Sequence, residues 1–204
     1  VGYNSDLFYK IPYEEKFKLR REKGFSEDET ILIYVAEMNA NKNQGMLIHA
    51  IKQLKKSCPK IRLLIVGADN FGGRYIRLAE ELGVSDCVSF LGHRNDACDL
   101  VHLSDIAVGS SLREGLPVNV MEAMACGLPL VLSDNRGHRE LCRNGINGFI
   151  VEPNDFFAMA EKIKIITEDK ELYNRFSDNG IKLAQPYSKE KVLDEVKAVY
   201  DEYC

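Results

Sequence analysis

The sequence predicts an α/β fold with a mostly parallel sheet of six strands. Two observations predict it. Short runs such as residues 31–36 (ILIYVA) are apolar throughout, the pattern of a strand covered on both faces. Between such runs lie segments of helical spacing, and strands alternating with helices imply parallel pairing through right-handed crossovers.

The elements follow in order. Residues 1–12 (VGYNSDLFYKIP) carry turn residues and scattered aromatics, as an entry segment would. A charged helix is expected over 14–23, stopped by Gly24. After the strand at 31–36, Leu47, Ile48, Ile51 and Leu54 recur at helical spacing, so a helix is expected over 44–57, with Pro59 marking its end. A strand at 61–66, a helix at 73–82, a strand at 88–91, a short helix at 97–103 and a strand at 106–109 continue the alternation. Strands at 130–132 and 149–151 bring the number to six, with a loop after the fifth (133–140). Asn144-Gly145 and Asn147-Gly148 are turn dipeptides with a structural role. From 155 onward the chain reads as helical, at 156–167, 170–184 and 188–203, interrupted at Pro186. No internal repeat or low-complexity segment appears.

With 204 residues, 45% of them hydrophobic, the chain is sized for one domain with a substantial core rather than for two. A formal net charge of −4 excludes a global basic field that would draw nucleic acid or an anionic membrane, so any basic site must be local. Cys58, Cys87, Cys98, Cys126, Cys142 and Cys204 show no C-x-x-C spacing. They read as reduced small hydrophobes, which points to a cytoplasmic setting. No signal peptide is expected from these residues, and the apolar runs are too short to span a bilayer; peripheral attachment of a longer parent to the inner face of the membrane stays open. Opening at Val1 without an initiator Met, the sequence is expected to be an excised piece.

Residues 113–129, REGLPVNVMEAMACGLP, carry the chemistry. Pro117 suits the first turn of a helix, and Gly127 and Pro129 close it. Nearly every residue between them is apolar, as in a helix buried inside an α/β protein. Glu122 is the exception, about one and a half turns in, and a carboxylate there costs free energy unless something hydrogen-bonds to it. Glu114 lies in the loop that leaves the strand at 106–109, where open α/β sheets bind ligands. The amides of Gly115, Leu116 and Val118, around Pro117, would suit a phosphate. Two carboxylates flanking an anion cradle cannot themselves bind phosphate, so their natural partners are neutral hydroxyls such as those of a ribose or a sugar.

Glu114-Gly115-Leu116-Pro117 followed by Glu122-Ala123-Met124-Ala125-Cys126-Gly127-Leu128-Pro129 resembles the E-x7-E signature of retaining, group 1 (family 4) glycosyltransferases. The resemblance implies one half of a GT-B fold: a Rossmann-like, three-layer domain that binds the nucleotide-sugar donor. The whole chain, 1–204, would be that domain, with 1–12 as linker, 13–187 as core and 188–204 as C-terminal helix. The N-terminal domain, which binds a saccharide or lipid-linked acceptor, would be absent, and this chain alone should not turn over. Glu122 would then take the ribose hydroxyls, and Glu114, the catalytic candidate, would orient the donor sugar. UDP is the first expectation for the nucleotide, ahead of GDP and ADP.

The family has an arginine at the end of the first strand and a lysine further on, both on the donor diphosphate. Lys42 matches the lysine. Glu37 stands at the arginine position, a departure shared with enzymes of bacterial capsule and exopolysaccharide synthesis, which the E-x-N-x-N-K-N pattern at 37–43 resembles. Arg136, after the fifth strand, either supplies the second cation or pairs on the surface. Arg94, after the third strand, lies where the family seats the nucleobase, or is an exposed loop residue. Residues 67–73 (GADNFGG) imitate the dinucleotide fingerprint, but Asp69 stands where its second glycine belongs, so they read as a strand-to-helix turn. No Asp-x-Asp triplet is present, and a donor site of helix amides and basic side chains implies no metal and no cofactor. Two other readings remain: another GT-B enzyme such as a nucleotide-sugar epimerase, and a non-catalytic module that binds nucleotide sugars or docks a partner.

Overall fold

A computed structural model of the chain describes residues 1–203. The element order is α1 (Tyr13–Lys23), β1 (Thr30–Val35), α2 (Gln44–Leu54), β2 (Ile61–Val66), α3 (Arg74–Glu81), β3 (Val88–Phe90), α4 (Ala97–Leu103), β4 (Ile106–Gly109), α5 (Val118–Ala125), β5 (Leu130–Ser133), α6 (Arg136–Leu141), β6 (Gly148–Val151), α7 (Phe156–Glu168) and α8 (Lys170–Ala184). A 3-10 turn (Gln185–Tyr187) and α9 (Lys189–Tyr203) follow. All six strands are parallel, in the order β3-β2-β1-β4-β5-β6.

The apolar strand runs explain the three layers. In β1, Leu32 and Tyr34 join a core with α2, α3 and α7, while Ile31 and Ile33 join a second core with α4 and α5. β2 divides likewise, Leu63 and Ile65 to the first core, Leu64 and Val66 to the second. Alternate residues of a strand point to opposite faces, so a strand apolar throughout needs helices on both sides. Arg20 locks α1 onto this body. It is 2% exposed and donates to the carbonyls of Leu103, Glu27 and Glu29 and to Asp105.

Most element boundaries agree with the sequence reading to within two residues, and four details differ. Residues 136–141, expected as loop, form α6, capped by the Asn135 side chain on the His138 amide at 3.0 Å. Six mostly polar residues including a glycine carry no apolar periodicity, so the sequence pattern is blind to them. Pro117 lies just outside α5, with φ −74° and ψ 113°, because Val118 is the first helical residue. Asn147-Gly148 does not make a turn of its own: Gly148 starts β6, where a Cβ would stand 2.3 Å from the Leu130 carbonyl oxygen. Helix α2 stops at Leu54, whose carbonyl accepts from both Ser57 and Cys58 and closes the chain into a turn.

Residues 67–73 form the expected strand-to-helix turn. Asp69 accepts from the amides of Phe71 (2.8 Å) and Gly73 (2.6 Å). Cys58, Cys87, Cys98, Cys126 and Cys142 are free thiols, while Cys204 lies outside the described residues. Among the described residues no helix is long and apolar enough to cross a membrane.

Candidate functional site

The strand order places the site. The chain winds outward from β1 through β2 to β3, then returns to the other side of β1 and continues from β4 to β6. The crevice beyond the carboxyl ends of β1 and β4 is therefore the topological switch point, where open parallel sheets receive ligands. The loops after β1 and β4 are stitched together there. Leu112 N donates to the Asn41 carbonyl (2.8 Å), Asn41 Nδ2 to the Arg113 carbonyl (3.0 Å) and Ser110 Oγ to the Lys42 carbonyl (2.8 Å).

This stitching brings Lys42 Nζ to 2.5 Å from Glu114 Oε1, with side chains 22% and 14% exposed. Ser111 Oγ donates to the same oxygen at 2.6 Å. Since that bond uses the single Ser111 proton, the contact of Tyr34 Oη with Ser111 Oγ (2.5 Å) has Tyr34 as donor. Burial pushes the Tyr34 pKa up and so keeps that proton in place. The Ser111 carbonyl accepts from Ser133 Oγ (2.7 Å) and Asn135 Nδ2 (2.9 Å), tying the end of β5 to the same loop. His138, also buried, has its pKa lowered by desolvation, and its Nδ1 lies 2.7 Å from the Ser133 carbonyl. A neutral imidazole donating from Nδ1 fits that contact. Gly137 presses α6 against the site, since a Cβ there would stand 2.2 Å from the Gly115 carbonyl oxygen.

Beside Glu114 the chain enters α5. Among the described residues the amides of Gly115, Leu116 and Val118 make no hydrogen bond within the protein, which leaves three donors for a ligand or for water. On α5 itself Val120, Met121, Ala123, Met124 and Ala125 are buried, as the apolar pattern requires. Glu122 is half-buried among them, without a hydrogen-bond partner among the described residues. Desolvation pushes its carboxyl up to about 7, against an opposing pull from Lys189.

The other candidates have polar partners of their own. Arg94 makes a two-pronged ion pair with Asp96, both contacts at 2.7 Å, and Asp96 also accepts from Lys23. Arg136 begins α6 with its side chain 84% exposed and 3.2 Å from Glu140, a surface pair one turn along the helix. Glu37, at the family's arginine position, accepts from the side-chain amides of Asn39 (3.1 Å) and Asn70 (2.7 Å), two neutral donors that hold it in the loop.

Tyr34, Ser133 and Asn135 escaped the sequence reading because their bonds to Ser111 join strands distant in sequence, and His138 because it lies in a short polar helix without apolar periodicity. Ser111 lies three residues ahead of Glu114, so its side-chain bond to that carboxylate is a short-range one. Among the described residues no group of three or more His, Cys, Asp or Glu side chains is placed to hold a metal ion. A separate groove of about 640 Å³ runs between α2, α3 and the start of α7, past His49, Arg74, Tyr75 and Phe156, and neither Lys42 nor Glu114 lines it.

Comparisons with known proteins place the chain in a family. The family model described as glycosyl transferases group 1 matches residues 15–183. EpsD, a Bacillus subtilis protein named as a glycosyltransferase, is 40% identical over 203 residues, covering 100% of this chain and 53% of EpsD. The N,N'-diacetylbacillosaminyl-diphospho-undecaprenol alpha-1,3-N-acetylgalactosaminyltransferase of Campylobacter jejuni is 29% identical over 202 residues, 98% of this chain and 52% of that enzyme. HepE from Anabaena, solved in complex with UDP, superposes with a TM-score of 0.89 at 25% identity, over 98% of this chain and 56% of HepE. The chain spans about half the length of the curated relatives it matches, and its fold is that of one half of a GT-B glycosyltransferase. Because the family match runs from α1 to the end of α8, through the loops bearing Lys42 and Glu114 and the helix bearing Glu122, this chain belongs to the group 1 glycosyl transferases.

Proposed function

We propose that this chain is the donor-binding domain of a retaining glycosyltransferase that uses a UDP-sugar, without a metal ion or cofactor. The observation that carries the reading is the meeting of Lys42 and Glu114 at the switch point, beside three unbonded amides at the entry to α5. A cation and backbone donors suit a diphosphate; a carboxylate beside them suits hydroxyls. HepE, the structural neighbour at 25% identity, was solved with UDP and with UDP-glucose, which favours UDP here. On this reading Lys42 and the amides of Gly115, Leu116 and Val118 hold the diphosphate, Glu122 takes the ribose diol and Glu114 orients the sugar. Arg136, held among the described residues by an exposed pair of small worth, serves as the second cation, and Arg94 flanks the nucleobase. Rate enhancement comes chiefly from stabilising the negative charge that develops on the leaving nucleoside diphosphate. The acceptor, a saccharide or a lipid-linked one as in the name of the Campylobacter relative, binds to a domain outside these 204 residues.

Calorimetry of the chain against UDP-, GDP- and ADP-sugars and free sugars tests the reading. Selective binding of a UDP-sugar, unchanged by EDTA, is expected. Binding that needs added Mg2+ or Mn2+ refutes the metal-free site. Failure to bind any nucleotide sugar refutes the donor role and favours a docking module.

A further inference from the structure

We propose that the Lys42–Glu114 pair makes this site favour the intact nucleotide sugar over the free nucleoside diphosphate, because donor binding moves Lys42 from Glu114 to the diphosphate. The proposal rests on the donor-site reading above. Lys42 and Glu114 come from loops 72 residues apart and meet where the two halves of the sheet divide. Among the described residues Glu114 is the carboxylate that Lys42 pairs with. The oxygen that receives Lys42 also accepts from Ser111, which Tyr34 braces from the buried side. Glu114 therefore keeps an anchor when Lys42 leaves.

One ammonium here serves two anions. A diphosphate seated on the amides of Gly115, Leu116 and Val118 draws Lys42 toward itself and leaves Glu114 as a bare carboxylate near phosphates of like charge. With a nucleotide sugar, the sugar hydroxyls donate to Glu114 and replace the lost ammonium. Free UDP offers no such replacement, so it binds against an unrelieved carboxylate. Once the sugar has been transferred, Glu114 competes again for Lys42 and loosens the hold on the departing nucleotide. The pair thus sets specificity for the donor over its own product.

A double-variant cycle tests the exchange, with UDP and UDP-glucose titrated into the chain, Glu114→Gln, Lys42→Ala and the double variant. Glutamine keeps the shape and the Ser111 contact but releases Lys42. The expected result is that Glu114→Gln binds UDP about twofold to fivefold more tightly, the size of a partly screened ion pair, while its preference for UDP-glucose over UDP falls. In the Lys42→Ala background the gain on UDP should shrink to the part that repulsion between Glu114 and phosphate supplies by itself. An unchanged or weaker UDP affinity in Glu114→Gln overturns the exchange. So does an equal gain with and without Lys42, which is plain repulsion between Glu114 and phosphate. Should Lys42→Ala bind UDP too weakly to titrate, a crystal structure of the UDP complex decides. Lys42 on a phosphate oxygen, with Ser111 still on Glu114, supports the exchange, and Lys42 still on Glu114 overturns it. A parent chain that binds neither ligand refutes the donor-site reading itself, whereas binding of both with the wrong pattern refutes the exchange alone.

Discussion

Glu122 shows most directly what one residue contributes. Its carboxyl is desolvated without a hydrogen-bond donor among the described residues, and burial holds its pKa near 7, above the ordinary 4.5. Two pH effects of opposite sign follow. Because the folded state binds this proton more tightly than the unfolded chain, the Glu122 contribution to stability is full below about pH 4.5 and is lost as the pH rises through about 7. Binding runs the other way, since the ionised carboxylate is the better acceptor for a ribose diol. Affinity for UDP-glucose, whose diphosphate lacks the titrating terminal group of UDP, should rise between about pH 6 and pH 8 in the parent and stay flat in Glu122→Gln. At pH 8 that variant should lose about 1.5 to 3 kcal/mol of affinity for UDP but less for dUDP, which lacks the 2′-hydroxyl. Equal losses for both ligands, read by calorimetry, would assign Glu122 a structural role. The anomaly of Glu122 was legible in sequence, because a lone carboxylate in an apolar helix stands out. Tyr34 was not, because one tyrosine in an apolar strand looks like core until its hydroxyl is seen to meet Ser111.

At the scale of elements, α6 is the piece the sequence concealed, and it shapes the site. Its first turn lies so close to the loop after β4 that Gly137 leaves no room for a methyl group against Gly115 and Glu114. The neighbour on that side is backbone, which cannot swing aside as a flexible side chain would. Gly137→Ala should therefore destabilise the fold by about 2 kcal/mol, read as a lower urea midpoint, and displace Glu114 enough to weaken UDP-glucose binding more than UDP binding. Unchanged stability would show that α6 is free to shift. The cap on α6 was locally encoded, as Asn135 stands three residues before His138. Its closeness to Glu114 was not, because that depends on β5 lying next to β4. The strands, by contrast, were legible nearly to the residue, since runs covered on both faces need no partner to be recognised.

At the scale of the molecule, the proposed donor cleft is one wall. The switch point lies at the carboxyl ends of the central strands β1 and β4, and on the proposed reading the chain supplies the diphosphate, ribose and sugar contacts while the acceptor is bound elsewhere. The chain by itself should bind UDP-glucose and transfer nothing to any acceptor offered, and product formation by residues 1–204, followed by chromatography of radiolabelled sugar, would refute that division of labour.

The amino-acid sequence alone determined the order and kind of nearly every element, the sheet of parallel strands, and the E-x7-E signature at Glu114 and Glu122. All of these are local patterns of spacing and polarity. Tertiary structure decided what those residues face. It paired Lys42 with Glu114 across the switch point, tied Glu37 to Asn39 and Asn70, turned Arg136 to Glu140 and Arg94 to Asp96, and buried Tyr34 and Ser111 beneath the site. The physical reason is strand order. Residues 72 apart become neighbours only once β4 returns to lie beside β1, and that adjacency is set by packing two helical layers on one sheet rather than by any local stretch of chain.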